Sequence, residues 1–257
     1  MLTFRNTNIF FAALIGVSII LNFSIHVPIF VYVIIILIYS LILFYGSYYI
    51  QAGFYIKSIC SAQKSLKQIA ISFDDGPAKN YTAEILDVLN QNNVQATFFC
   101  IGDRIAGNEE ILKKINDEGH IIGNHSFTHH FWFDLFSSKK MLNDMQLMNS
   151  VVNEITGLTP KLFRPPYGVT NPNLKKAIIK GKYISVGWNV RSMDTVIKDE
   201  SKLLLKVKAG IKSGAIILFH DTSKTTLNIL PEFIKYVKAS GYEIIRLDKM
   251  CNLQAYE

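Results

Sequence analysis

The sequence contains few cysteines and no regular pattern of them. Cys60, Cys100 and Cys251 are too far apart for a disulfide framework or for the paired spacing of a structural zinc site. Their odd number favours free thiols and says little about the cellular compartment. No internal repeat is evident. The 257 residues, 49% of them apolar, suffice for one large core.

Dense blocks of basic residues are also absent. The formal net charge is +7, but the excess Lys and Arg residues are scattered along the chain. A scattered basic excess is typical of a solvated surface, so we expect no nucleic-acid partner. The sequence identifies no protein partner and no oligomeric state.

Charged residues are missing from one long N-terminal stretch. Residues 6–56 contain no Asp, Glu, Lys or Arg, and two apolar runs, 9–25 and 29–50, flank a break at His26–Pro28. Spans need about 20 apolar residues, and tyrosines often mark the interface. We predict a two-helix transmembrane hairpin as an anchor (1–56), a tether (57–66) and a soluble domain (67–257). A buried soluble hairpin is the alternative, and a cleaved signal peptide explains only the first run.

The charges beside these runs indicate an orientation. Arg5 precedes the first run, the turn between the runs has no Lys or Arg, and Lys57, Lys64 and Lys67 follow the second. Because Lys and Arg near span ends favour the cytoplasmic side, the bias predicts a cytoplasmic-facing domain on an integral membrane protein.

From Gln68 onward, apolar runs alternate with helical patterns. Expected strands are 69–73, 94–100, 120–123, 162–164, 183–188, 215–219 and 242–247; expected helices are 81–92, 108–118, 138–156, 171–180, 199–212 and 225–239. This alternation predicts an α/β fold with parallel strands and external helices. The number of strands suits a distorted (β/α)7-type barrel. A doubly wound sheet is the rival, but its glycine-rich phosphate loop is absent after the first strand.

Polar residues follow several predicted strands, where α/β proteins bind ligands. The groups are Asp74 and Asp75; His125, His129 and His130; Arg164–Gly168; Arg191 and Asp194; and His220 and Asp221. On a helical turn, His125 and His129 would lie on one face, at a separation suited to one metal ion. Two His and a carboxylate leave positions open for water and substrate, as in catalytic sites. The same ligands also serve non-haem iron oxygenases.

Four of these groups resemble motifs of one family, in the family's order. Ser72–Pro77 (SFDDGP), His125–His129 (HSFTH), Arg164–Gly168 (RPPYG) and Leu218–Asp221 (LFHD) resemble the first, second, third and fifth motifs of the polysaccharide deacetylases, the NodB-homology or carbohydrate esterase family 4 domain. The resemblance spans about residues 67–247. It implies a distorted barrel and metal-dependent removal of N-acetyl groups from an amino-sugar glycan.

The resemblance also implies individual roles. Asp75, His125 and His129 match the metal ligands, Asp74 the general base that deprotonates water activated by the metal, and His220 the general acid. Arg164 matches the residue that orients the base. The Tyr167 N–H matches an oxyanion donor beside Pro166, and Leu218 matches a wall of the acetyl pocket. His130 is expected in the surroundings of the metal or at the surface.

The fourth motif departs from the family pattern Asp-x-x-Asp-Trp. The chain has Arg191-Ser192-Met193-Asp194-Thr195, so Asp194 keeps the acid that raises the pKa of His220. Arg191 replaces an acid, and Thr195 replaces an aromatic pocket wall. These changes leave open the acyl specificity, with neutral drift as the alternative.

Several questions stay open at this point. Zn²⁺ is the expected ion, with Co²⁺, Mn²⁺ and Ni²⁺ as alternatives. The glycan is peptidoglycan, a chitin-like oligomer or a lipid-linked glycan. The side of the membrane is open as well, because the resemblance implies the opposite of the charge bias: many members of the family act on cell-wall glycans outside the membrane. A non-catalytic glycan-binding descendant is a further alternative, although the chain retains the matched ligands, base and acid.

Overall fold

The computed structural model describes residues 2–63 and 65–257, so Lys64, in the predicted tether and its charged flank, lies outside the described residues. Two long helices come first, α1 (Phe4–Asn22) and α2 (Ile29–Tyr48). The strands are β1 (Gln68–Asp74), β2 (Thr97–Cys100), β3 (Ile121–Asn124), β4 (Leu162–Phe163), β5 (Ile184–Ser185), β6 (Val190–Arg191), β7 (Ala215–His220) and β8 (Glu243–Ile244). The other helices are α3 (Thr82–Gln91), α4 (Glu109–Asp117), α5 (Ser138–Thr156), α6 (Pro172–Gly181), α7 (Glu200–Ala209), α8 (Lys224–Ala239) and α9 (Leu247–Cys251).

The strands form one parallel sheet in the order β5-β4-β3-β2-β1-β7-β6, with β8 beside the start of β1. The predicted α/β alternation is therefore confirmed. The central β1 is buried after its first residue. Ile69, Ile71 and Phe73 share one face and pack in the apolar cluster that includes residues of α3 and α8, while Ala70, Ser72 and Asp74 share the other. The register places Asp74 beside His220 at the carboxyl ends of β1 and β7. Two groups far apart in sequence thus meet at one edge.

Local sequence explains the helices that hold this edge. Helix α5 begins where the Ser137 side chain accepts a hydrogen bond from the Lys140 N–H, and it ends at Gly157, whose φ of 71° is left-handed. Its buried face carries Met141, Met145, Met148 and Val152 at helical spacing. The amphipathic pattern therefore packs the helix against the sheet and leaves its polar face in solvent.

The strands that follow β4 differ from the predicted ones. The expected strand 183–188 continues only to Ser185, and β6 is a separate short strand that pairs with β7. The cause is a segment from before the sheet. Ile59 pairs with Val186, its N–H donates to Ser185 O (2.9 Å), and the Gly187 N–H donates to Ile59 O (2.9 Å).

We call residues 58–62 the bridging segment, because they join both sides of this gap. On the β5 side, the hydroxyls of Ser58 and Ser185 lie 2.7 Å apart. On the β7 side, Ser61 pairs with Ala215, and the Ala62 N–H donates to Gly214 O (2.9 Å). Part of the segment expected as a tether thus lies between the end of β5 and the start of β7. The domain boundary at residue 67 stays a prediction.

Helices α1 and α2 form an antiparallel hairpin whose side chains mostly face outward. Both are long and apolar enough to cross a membrane, and only 17% and 11% of their most apolar windows are buried. The outward apolar surface disfavours the alternative of a buried soluble hairpin. The first helix begins at Phe4, earlier than predicted, because Thr3 caps it by accepting a hydrogen bond from the Asn6 N–H.

Candidate metal and active site

The carboxyl ends of the parallel strands surround a cleft of about 190 Å³. Its lining combines residues singled out in the sequence with Trp188, which was not: Asp74, Asp75, His125, His129, Tyr167, Gly168, Trp188, Arg191, Thr195, Leu218 and His220. Arg164 and Asp194 lie behind this lining, in contact with Asp74 and His220. Parallel pairing brings these groups together because every strand ends at the same edge.

Asp75, His125 and His129 lie close enough to share one ion. Asp75 Oδ1 is 3.6 Å from Nε2 of His125 and 3.6 Å from Nε2 of His129. These separations suit ligand atoms that each lie about 2.1 Å from a common centre. Asp75 Oδ1 is buried and has no hydrogen-bond partner among the described residues. A buried carboxylate oxygen without a partner is costly, so the donor set fits a divalent ion.

The protonation of the two imidazoles suits ligation. His125 Nδ1 lies 2.7 Å from Arg164 O, a carbonyl that accepts a hydrogen bond, so Nδ1 carries the proton and Nε2 offers its lone pair. Burial lowers the pKa of His129 to about 4. The His129 ring therefore presents a neutral nitrogen atom near neutral pH.

The two histidines do not lie on a helical turn, and that part of the prediction is wrong. Residues 125–130 form an irregular loop in which Ser126 (φ 70°) and His129 (φ 43°) are left-handed. Asn124 Oδ1 accepts a hydrogen bond from the Ser126 N–H (2.8 Å), and Ser126 Oγ accepts one from the His129 N–H (2.9 Å). These side-chain contacts replace helical bonding, and the rings still face each other with centroids 4.8 Å apart.

Asp74 is held by a buried arginine. Arg164 is fully buried, and its Nη1 donates to Asp74 Oδ1 (2.6 Å) and to Ser72 Oγ (2.9 Å). The guanidinium also lies 4.1 Å from the centre of the Phe99 ring. With Oδ1 fixed, Asp74 Oδ2 points towards Asp75, His125 and His129, which we call the triad, and lies 3.8 Å from His125 Nε2.

His220 is held by a buried carboxylate on the other side of the cleft. Asp194 Oδ1 lies 2.7 Å from His220 Nδ1, and Asp194 Oδ2 accepts from the His220 N–H (2.7 Å) and from Thr226 Oγ1. Burial alone would lower the pKa of His220, but the hydrogen bond to Asp194 and its charge outweigh burial and raise it. His220 is thus kept protonated to a higher pH than an ordinary histidine.

The turn after β1 has no room for a side chain at Gly76. A Cβ at Gly76 would collide with the carboxylate of Asp221, a fully buried residue. Asp221 Oδ2 accepts a hydrogen bond from Thr82 Oγ1 (2.7 Å), and burial raises the pKa of Asp221 to about 7. Asp75, the preceding residue, has a φ of 76°. The turn thus requires glycine at position 76, directly after the left-handed Asp75 of the candidate metal site.

Tyr167 also has a left-handed backbone, with a φ of 58°. Among the described residues, no acceptor pairs with its N–H, and its ring centroid lies 4.7 Å from that of His129. Pro166, expected at the substrate, is buried and does not line the cleft, because it starts the short 3₁₀ turn that carries Tyr167. The turn thus leaves a free donor at the cleft.

The remaining predicted residues divide between cleft wall and surface. Leu218 is buried and Thr195 is exposed, and both line the cleft. Arg191 is exposed with its guanidinium 5.9 Å from the centre of the Trp188 ring. His130 points away to the surface, where its Nδ1 accepts from the Trp132 N–H (3.0 Å).

Several residues that position the site were not anticipated. Asp144, on α5, accepts hydrogen bonds from the Phe127 N–H (2.7 Å) and from Thr128 Oγ1 (2.8 Å). These bonds hold the loop of residues 125–130, which we call the histidine loop. Thr226 binds Asp194, and Trp188 lines the cleft. Of the residues that position the site, only Ser72 carried a signal in the sequence, because it belongs to the first motif. The roles of Asp144, Thr226 and Trp188 depend on contacts between distant segments.

The chain is similar to known proteins over most of its length. The family model for polysaccharide deacetylase matches residues 61–184. The chain is 35% identical over 187 residues to the peptidoglycan-N-acetylglucosamine deacetylase PgdA of Listeria monocytogenes, covering 73% of this chain and 39% of that protein. It is 33% identical over 188 residues to the peptidoglycan-N-acetylmuramic acid deacetylase PdaA of Bacillus subtilis, covering 72% of this chain and 71% of that protein.

The structural similarity is consistent with these matches. The crystal structure of the Bc1960 peptidoglycan N-acetylglucosamine deacetylase gives a TM-score of 0.73 at 28% identity, covering 78% of this chain and 95% of that chain. This match confirms the predicted α/β barrel-type fold. The chain spans only about two fifths of the length of PgdA, at 39%.

Proposed function

Because the chain belongs to the polysaccharide deacetylase family, we propose that it is a metal-dependent hydrolase that removes N-acetyl groups from an amino-sugar glycan. One observation carries the proposal. The triad, the carboxylate clamped by Arg164 and the histidine paired with Asp194 all meet at one cleft. Amide hydrolysis by water needs an activated water, a base and an acid, and the residues that would hold the activating ion, Asp74 and His220 all line this cleft.

Asp75, His125 and His129 would hold the ion. When bound there, a divalent ion lowers the pKa of a coordinated water toward about 7 and polarises the acetyl carbonyl. Nitrogen and oxygen ligands in this number suit Zn²⁺, which we propose as the ion, and Co²⁺, Mn²⁺ or Ni²⁺ accept the same donors.

Asp74 would act as the general base. Its Oδ1 is occupied by Arg164, so Oδ2, on the side of the triad, is the oxygen that accepts the proton of the attacking water. Arg164 fixes the direction of the carboxylate through this hydrogen bond. The base is therefore aligned before substrate binds.

Tyr167 would stabilise the intermediate that the attack forms, and His220 would assist its breakdown. The Tyr167 N–H, which has no acceptor among the described residues, would donate to the negative charge that develops on the carbonyl oxygen. His220, protonated and oriented by Asp194, gives its proton to the leaving amine as the C–N bond breaks and acetate is released. Leu218 and Thr195 would contact the acetyl methyl group.

Acetate release from N-acetylated oligosaccharides tests the proposal directly. We expect release by the purified chain that stops after chelation and returns when a divalent ion is added. A glycan-binding descendant would retain binding without release. An iron oxidase would consume O₂ and release no acetate, and either result would contradict the proposal.

The pairing of His220 with Asp194 predicts a pH dependence. The proposed acid must be protonated, so turnover falls as the pH rises through the raised pKa of His220. Asp194→Asn removes the charge that raises this pKa, and we expect the alkaline limb of the kcat/KM profile to move to lower pH. Asp199→Asn, at the exposed N-cap of α7, is the matched control and should leave the limb in place. An unchanged limb in Asp194→Asn would contradict the assigned acid.

Thr195 would set the size of the acyl pocket. Because it replaces an aromatic wall, we expect measurable hydrolysis of an N-propionyl substrate, and Thr195→Trp should increase discrimination against it. Val196→Trp is the control, since exposed Val196 does not line the cleft. An acyl preference in Thr195→Trp equal to that of the wild type would show that Thr195 does not contact the acyl group.

We further propose that α1 and α2 anchor the enzyme in a membrane with its catalytic domain on the cytoplasmic side. Arg5 and the exposed Lys57 and Lys67 flank the hairpin ends that adjoin the domain, as Lys and Arg do on cytoplasmic flanks. This side favours a lipid-linked or precursor glycan over a finished wall polymer. The relatives' names specify N-acetylglucosamine and N-acetylmuramic acid in peptidoglycan, so both sugars are candidates.

An impermeant thiol reagent tests the orientation. With the three native cysteines replaced, Lys57→Cys should resist labelling in intact cells and react after permeabilisation. Ser24→Cys, in the exposed turn between α1 and α2, should show the opposite pattern. Strong labelling of position 57 in intact cells would reverse the orientation and favour a wall polymer.

A further inference from the structure

One loop beside the cleft exposes three large apolar side chains. Phe131 is 66% exposed, Trp132 55% and Leu135 70%, and we call this segment the 131–135 loop. Isolated exposed apolar residues are ordinary, but a contiguous group marks an interaction surface. Phe133, in the middle of the loop, is buried and anchors it.

Hydrogen bonds hold the 131–135 loop at the end of α2. The Thr170 N–H donates to Ser47 O (3.0 Å), in the last turn of α2. The next residue, Asn171, donates from its side chain to Asp134 O (2.6 Å), within the loop. The loop is therefore tied to the helix through two consecutive residues.

Packing fixes the depth of the loop along the hairpin. Phe133 belongs to an apolar cluster that includes Phe54 and Tyr55, and Phe4, Ile42 and Leu43 of the hairpin pack against this cluster. Ile42 precedes the end of α2 by six residues, about 9 Å along the helix axis at 1.5 Å per residue. The domain thus overlaps the last turns of α2 instead of standing clear of them.

The same turns carry exposed aromatic side chains. Phe44, Tyr45, Tyr48 and Tyr49 are all exposed at this end of α2. Aromatic residues concentrate where a membrane-spanning helix leaves the hydrocarbon for the headgroups. If α2 crosses a membrane, these four aromatic side chains and the 131–135 loop lie at a similar depth in it.

From this geometry we infer that the 131–135 loop inserts into the interface of the same membrane, so that the catalytic cleft opens at the membrane surface. The inference rests on the proposed membrane anchor. Lys139 and Lys140 follow the loop and are exposed, with Lys140 Nζ 3.5 Å from the centre of the Phe136 ring. Cations beside inserted apolar groups suit anionic headgroups.

The loop is adjacent to the reacting groups. The Phe131 ring centroid lies 6.2 Å from that of Tyr167, which lies 4.7 Å from that of His129. A substrate that reaches the triad from this side lies close to the headgroups. The favoured substrate is therefore a glycolipid whose amino sugar lies near its lipid anchor. Stacking of the loop on a soluble sugar chain is the alternative.

Tryptophan fluorescence tests the insertion without requiring activity. The chain has Trp132 and Trp188 as its two tryptophans, and Trp188 is buried. In the full chain reconstituted into vesicles, brominated lipids should quench a component of the emission that Trp132→Phe removes. Equal emission in brominated and ordinary vesicles, from protein that resists alkaline extraction, overturns the inference. Extraction of the protein instead shows that the anchor itself is absent.

Activity then distinguishes the membrane from the sugar. The double variant Trp132→Gln/Leu135→Gln is compared on two substrates, a vesicle-held N-acetylglucosaminyl lipid and a soluble N-acetylglucosamine oligomer. We expect the ratio of kcat/KM on the lipid to kcat/KM on the oligomer to fall about tenfold, because the apolar burial in the membrane is lost. Leu205→Gln, equally exposed (68%) on α7, should leave the ratio unchanged. Equal losses on both substrates would favour sugar stacking and overturn the inference. No acetate from either substrate with wild type would refute the proposed function, while the quenching result stands.

Discussion

Asp74→Asn is expected to lower kcat by about 10²-fold or more while the bound ion is retained, on typical contributions of general bases. The asparagine amide cannot accept the proton of water, but it has the size of the carboxylate. The ion should be retained because position 74 is not one of its expected ligands, which are the triad of Asp75, His125 and His129. Turnover on an N-acetylated oligosaccharide and metal stoichiometry are the two measurements. His220→Ala should cause a loss of similar size because the leaving amine is no longer protonated.

Folding must be verified in the Asp74 variant. Arg164 is fully buried and pairs with Asp74, and removing one partner of a buried pair typically costs about 3–5 kcal/mol. Thermal unfolding of the metal-loaded variant distinguishes a lost base from a lost fold. Near-normal turnover in a folded Asp74→Asn or His220→Ala enzyme would refute the corresponding role.

His125→Ala is expected to abolish both stoichiometric metal binding and turnover. The two remaining ligands, Asp75 and His129, cannot hold a divalent ion as three do. Elemental analysis after dialysis should find about one ion per wild-type chain and little in the variant, on the one-ion geometry of such sites.

His130→Ala is the matched control for this experiment. His130 belongs to the same loop but is exposed and bonds the Trp132 N–H instead of facing Asp75. It should bind metal as the wild type does. Equal stoichiometric metal in His125→Ala would place the ion elsewhere and remove the basis of the triad.

The sequence predicted the fold well where local signals are strong. Helix α5 has the predicted bounds of 138 and 156, because a serine cap, a long amphipathic face and a C-terminal glycine mark it. The short β6 was missed because Val190 and Arg191 carry no strand pattern, and their pairing depends on β7. The helix expected at 81–92 begins at Thr82, and its N-cap residue Tyr81 makes no side-chain hydrogen bond there.

The site was predictable as a set of residues and less so as a geometry. The carboxyl ends of parallel strands explain why Asp74, Asp75 and His220 meet. The histidine loop required Asp144, on a helix that carries no motif, and its left-handed residues leave no signal in residue spacing. Hydrogen bonds between distant segments depend on the assembled fold, which a local pattern does not contain.

The bridging segment determines how far the chain can be shortened for work in solution. A truncated form that starts at Ser61, where the family match begins, loses Ser58 and Ile59. The edge of β5 beside Val186 would then lose its partner, and bare strand edges promote self-association. A form that starts at Gly53 keeps these pairings but uncovers Phe54 and Tyr55, which pack against the hairpin. Mild detergent should therefore be needed to keep even the longer truncated form monodisperse.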